Sequence, residues 1–135
     1  MTERTGTVIV IHVPWVPPVE SNPNYSRRSE RTKVRLRRQG AKDAKYPIIG
    51  ARQRFEEGGA IFDGPVTLDI DVKWPKGRNT WDGDNLEVCY KYVRDQLQYQ
   101  GIVSNDRNIR IGEIRQSITD GQEETVLTIT EIMNR

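Results

Sequence analysis

Residues 66–73 read Val66-Thr67-Leu68-Asp69-Ile70-Asp71-Val72-Lys73, and the fold turns on this octet. Val66, Leu68, Ile70 and Val72 fall on one side of an extended chain, with Thr67, Asp69, Asp71 and Lys73 on the other. Such alternation predicts a half-buried strand. Asp69 and Asp71 read as its acidic outer surface rather than as a metal pair. The loop WPKGRNTWDGDN comes next, at 74–85. Residues 85–99 then place Leu86, Cys89, Tyr90, Val93 and Leu97 at helical spacing, and Gly101 lies where a left-handed cap would end the helix.

Working outward, residues 109–118 and 125–132 predict two further strands joined by a turn at 119–122, with Gly112 marking a bulge. Near the start, TVIVIHV at 7–13 is apolar and β-branched on both sides, which predicts a strand covered on both faces. Pro14, Pro17 and Pro18 end it. His12, the only histidine, lies inside that strand and takes no catalytic role. The order is strand, basic segment, strand, helix, two strands. No internal repeat interrupts it, and 135 residues suit one core. The expectation is a single α/β domain with a mixed-direction sheet and one main helix after the acidic loop.

Charge divides the chain. Residues 1–55 hold 12 Lys and Arg against 4 acids, whereas residues 56–135 hold 9 against 15. A basic first part attracts polyanions, and clustered carboxylates later in the chain attract cations. The densest basic run is Arg27, Arg28, Arg31, Lys33, Arg35, Arg37, Arg38, Lys42 and Lys45. Only Val34 and Leu36 offer apolar anchors before Ala41, and Pro47 and Gly50 interrupt any helix that continues beyond Lys45. The segment at about 26–55 is therefore expected to be partly helical and mobile until DNA orders it.

No apolar run reaches the roughly 18 residues of a membrane span, and no basic segment with an apolar signal core opens the chain. The expected address is intracellular. Cys89 is the single cysteine, so no internal disulfide forms, and its place on the apolar stripe assigns it to the core.

The chemistry concentrates at Asp82 and Asp84, separated by one glycine, so that in an extended backbone both side chains point the same way. Two converging carboxylates make a hard oxygen site of the kind Mg²⁺ uses together with retained waters. The bland reading is a helix start, with Asp84 as N-cap and Glu87 completing a capping box. Asp106, in GIVSNDRN just after the helix, joins the pair if its loop returns toward it; by pattern alone an ordinary turn is the commoner explanation.

The segment DGDNLEVCYKYVRDQLQYQGIVSND at 82–106 resembles the signature of the RusA family of Holliday junction resolvases, in the frame D-x-D-N-L, a Lys, an Asp, then Leu, Gly and Asp. SNPNY near the start, GPVTLDIDVKWP in the middle and LTITE near the end resemble further landmarks of that family. The resemblance implies a small homodimeric α/β nuclease, bacterial or phage-encoded, that uses Mg²⁺, or Mn²⁺ in its place, to nick four-way DNA junctions symmetrically. Asp82, Asp84 and Asp106 match the metal-binding acids. Two positions depart from the pattern. The family's lysine four residues after the second Asp is Val88 here, leaving Lys91 as the nearest match, and Asn105 stands where an aspartate often precedes the last acid.

On this reading Lys91 neutralises the phosphate or leaving oxygen, while the plain alternative pairs it with Asp95 one helical turn away. Arg27, Arg28, Arg31, Lys33, Arg35, Arg37 and Arg38 contact DNA backbones, and Lys76 and Arg78 steer a strand toward the acids. Trp74 and Trp81 flank the same loop and either stack on an unpaired base at a junction centre or anchor the loop as buried rings. Three other functions stay open: a nuclease for other branched or single-stranded DNA, a junction-binding module without catalysis, and a purely structural protein.

Overall fold

Strand β2 (Val66–Pro75) buries every second residue, from Val66 to Trp74, as its alternation predicts. Before it lie β1 (Val8–Val13) and α1 (Glu30–Gln53); after it come α2 (Gly83–Cys89), α3 (Lys91–Tyr99), β3 (Ile109–Thr119) and β4 (Glu124–Glu131). These elements are seen in a computed structural model that describes residues 7–55 and 60–132. Short 3-10 turns occur at Val19–Ser21 and Asp106–Asn108.

One mixed sheet runs in the order β1-β4-β2-β3. β4 is antiparallel to both β1 and β2, and β3 is parallel to β2. The expected mixed-direction α/β domain is therefore present. The expected hairpin is not, because β2 lies between β3 and β4. Parallel strands need a long crossover, and here α2 and α3 supply it. A single apolar core joins the inner face of the sheet to the helices through Ile11, Val13, Ile48, Leu68, Ile70, Leu86, Leu97 and Leu127.

The opposite face of the sheet carries Thr67, Asp69, Asp71 and Lys73, half-buried. β1 shares this arrangement, with Val8 and Val10 exposed beside His12, so it is covered on one face and not on two. His12 Nδ1 lies 3.4 Å from the Glu124 carboxylate. The Gly112 bulge is real: the β2–β3 register shifts between Leu68 and Ile70. Asp69 accepts the Glu113 N–H at 2.8 Å, and a Cβ on Gly112 would run into that carboxylate. Asp69 is thus a bulge ligand on the outer face.

Helix α1 overturns a second expectation. It runs for 24 residues through Pro47 and past Gly50, although Pro47 has no N–H to offer the preceding turn. Ser29 caps it, accepting the Thr32 N–H at 3.2 Å. Docking comes from small residues and charged stems. Gly40, Ala41, Ala44, Ile48 and Ala51 are buried together with Lys33 and Arg37. A side chain on Gly40 would come within 2.8 Å of the Trp15 ring, so close approach of α1 requires glycine there.

The expected single helix at 85–99 is two. Tyr90 breaks it, with φ −97 and ψ 4. Its buried ring meets Trp15 edge-on at 5.5 Å, and its hydroxyl bonds Thr125 Oγ1 at 2.6 Å. Thr125 in turn donates to the Trp15 carbonyl at 2.7 Å. Cys89 is fully buried as expected, and Gly101 ends α3 with a φ of 79.

Candidate metal and nucleic-acid site

The chain between β2 and α2 has no regular structure but is locked at several points. The Trp74 ring is buried, and the Trp81 ring packs 5.2 Å from it. The Arg78 guanidinium lies 4.5 Å from the Trp74 ring and 5.7 Å from that of Trp81, and donates to the Pro17 carbonyl at 2.8 Å. Burial lowers the pKa of Arg78 from its ordinary value, with Glu123 and Glu20 acting in the opposite direction. Gln116 of β3 grips the main chain of Trp81: its oxygen accepts the Trp81 N–H at 2.8 Å and its amide donates to the Trp81 carbonyl at 2.7 Å.

Asp82 follows directly. It occupies the N-cap of α2, and its carbonyl accepts from the Asn85 and Leu86 N–H groups at 3.1 and 3.2 Å. Its side chain makes no cap bond, so the carboxylate stays free. Asp84 lies in the first turn and is not the cap that the capping-box pattern predicted. Both acids are exposed, and among the described residues neither forms an ion pair. Unengaged carboxylate oxygens are the donor type a hard divalent cation takes, while the extended backbone expected between the two acids is replaced by the helix start at Gly83.

Asp106 does not join them. Gln98 at the end of α3 accepts its N–H at 3.0 Å, and the neighbouring Asn108 amide bonds the Asp63 carbonyl just before β2. Gln116 pairs with Val72 and Ile109 with Val66, six residues apart on β2, a separation of about 20 Å at the usual strand rise. The expected return of Asp106 toward the first pair fails because α2 and α3 carry the chain back along the sheet. Among the described residues no three His, Cys, Asp or Glu side chains group to hold a metal ion. Asn105 caps the turn, accepting the Arg107 N–H at 2.9 Å.

The basic run divides by face. Arg31, Arg35, Arg38, Lys42 and Lys45 are all exposed and recur every three or four residues, a cationic stripe about 21 Å long on α1. Arg27 and Arg28 are exposed ahead of the helix. Lys33 and Arg37 do not reach solvent as the DNA-contact expectation requires. Lys33 Nζ donates to the Pro23 carbonyl at 2.8 Å, while Arg37 donates to the Ser21 carbonyl at 3.0 Å and pairs with Glu30 at 3.1 Å. Buried on the docking face, both are withdrawn from solvent. Lys76 is exposed and pairs with Asp120 at 3.0 Å.

Lys91 opens α3, exposed, with its ammonium 5.7 Å from the Tyr92 ring; the expected pair with Asp95 is not formed. Arg38 covers the same ring at 5.1 Å, so Tyr92 links the α1 stripe to Lys91. Neither Tyr92 nor Gln116 stands out in the sequence. Their roles come from contacts 54 and 35 residues away, between Arg38 and Tyr92 and between Trp81 and Gln116. Among the described residues no helix is long and apolar enough to cross a membrane. No protein-family model matches the chain, and no curated protein matches it.

Proposed function

We propose that this protein is a Mg²⁺-dependent endonuclease that resolves four-way DNA junctions, as the resemblance of residues 82–106 to the RusA resolvases implies. The observation that carries the proposal is the pair of exposed, unengaged carboxylates Asp82 and Asp84 on a locked helix start, in a chain whose α1 turns a cationic stripe to solvent. Metal-dependent cleavage of DNA uses both: cations to hold the polyanion, and hard oxygen ligands for a metal.

Asp82 and Asp84 would hold the ion on one protomer. Asp106 lies at the other end of the α2–α3 crossover, so it serves the same ion only if a second copy brings its own Asp106 end alongside. A two-fold dimer makes two such composite sites at once, since whatever one copy offers the other receives. That symmetry suits paired nicks on a four-way junction. A bound Mg²⁺, or Mn²⁺, supplies a water of lowered pKa and offsets charge developing on the phosphate. Lys91 neutralises the phosphate or leaving oxygen as an ammonium point charge. Arg31, Arg35 and Arg38 contact backbones, supplying affinity without sequence choice.

A junction-binding module without catalysis is the second reading, favoured by the distance of Asp106 from the other acids within one chain. Nicking of a synthetic four-way junction separates the two. The nuclease gives paired, metal-dependent cuts, and the module binds the junction and leaves it whole.

A further inference from the structure

We infer that Gln116 is the positioning residue for Asp82, an inference that rests on the metal reading above. One primary amide satisfies both main-chain groups of Trp81, the residue immediately before Asp82, at 2.8 and 2.7 Å. The same oxygen also accepts the Trp74 indole N–H at 3.0 Å. Gln116 therefore acts as a one-residue strand partner for a loop outside the sheet. It fixes the direction in which the chain leaves Trp81, and hence where the Asp82 carboxylate stands.

The rings of Trp74 and Trp81 with the Arg78 guanidinium hold the loop's side chains, but among the described residues only Gln116 bonds the Trp81 backbone. β3 is anchored against β2 over its full length, so the grip is referred to a rigid element. A metal site of few protein ligands depends on such support, because a carboxylate free to swing must be ordered by the ion itself.

The test compares full-length parent protein with Gln116→Leu, which keeps volume and removes all three bonds, and with Gln116→Glu, which keeps the acceptor oxygen. Amide exchange and the Mg²⁺ titration of the Asp82 and Asp84 amide resonances are followed by NMR, with junction nicking measured beside them. In Gln116→Leu the Trp81 amide exchanges about ten-fold faster and half-saturation by Mg²⁺ rises about ten-fold. Junction affinity without metal and the nicking rate at saturating Mg²⁺ stay at parent levels. Gln116→Glu keeps the bond to the Trp81 N–H and loses the one to its carbonyl; should the leucine variant lose the fold, a raised Mg²⁺ half-saturation in the glutamate variant, with Trp81 N–H protection at the parent level, carries the test. A parent that responds to Mg²⁺ with Gln116 variants that respond identically overturns the positioning role alone. A parent whose Asp82 and Asp84 amides ignore Mg²⁺ overturns the metal reading and this inference together.

Discussion

The two ends of the α2–α3 crossover hold their acids by different means. At the β2 end, Asp82 and Asp84 come after a loop fixed by two tryptophan rings, a stacked arginine and the Gln116 amide. At the β3 end, Asp106 sits in a 3-10 turn held by the Asn105 cap and by Gln98. The same crossover that makes β2 and β3 parallel drives these ends apart. Acids that lie close in a sequence motif can therefore be far apart in one chain, and on the proposed function a second copy is what would unite them.

Breaking the comparison at either end has the largest expected effect. Asp82→Asn, Asp84→Asn or Asp106→Asn lowers junction nicking on the order of 100-fold or more, while junction binding measured by gel shift without metal stays near parent. A mixing experiment sharpens it. Neither the Asp82→Asn, Asp84→Asn double variant nor Asp106→Asn nicks alone. Mixed and allowed to exchange subunits, they regain single nicks, because one composite site of the heterodimer is then intact. Sites confined to one chain regain nothing.

Smaller effects test the scaffold. Gly40→Ala forces a methyl into the Trp15 ring and costs about 1–3 kcal/mol, read from the midpoint of urea unfolding. On α1 the two faces separate cleanly. Arg35→Ala leaves stability unchanged and reduces the salt slope of DNA binding by about 0.9. Arg37→Ala lowers stability by about 2 kcal/mol, through the lost stem and its bond to the Ser21 carbonyl.

The smallest effect is a pH dependence. Burial raises the Cys89 thiol and the Tyr90 phenol above their ordinary ranges. A raised folded-state pKa stabilises below the unfolded value and is lost above it. Stability thus declines as pH rises past about 8.5 for Cys89 and past about 10 for Tyr90. Cys89→Ala and Tyr90→Phe flatten the corresponding part of a pH-dependent unfolding profile.

Local periodicity made much of this molecule legible. The strand at 66–73, the cap at Gly101 and the core place of Cys89 each depend on near neighbours or on apolar alternation, and a glycine inside a strand pattern marked the bulge at Gly112. Helix α1 was only half legible, because its buried face is built from Gly40, Ala41, Ala44 and the stems of Lys33 and Arg37, which composition assigns to solvent. The break falls at Tyr90, whose hydroxyl bonds Thr125, and β4 takes its place between β1 and β2 by long-range pairing; no window of sequence contains either contact. Asp82 and Asp84 were legible as two acids flanking one glycine at a helix start. The position of Asp106 was not, since the length of the sheet sets it.

The most direct measurement is cleavage of a synthetic four-way junction by the parent protein with Mg²⁺, against duplex and single-stranded controls and with Asp82→Asn, Asp84→Asn and Asp106→Asn alongside. Paired, symmetric, metal-dependent nicks confined to the junction, lost in all three variants while binding persists, are the predicted result. Tight junction binding with no cleavage under Mg²⁺ or Mn²⁺ would contradict it.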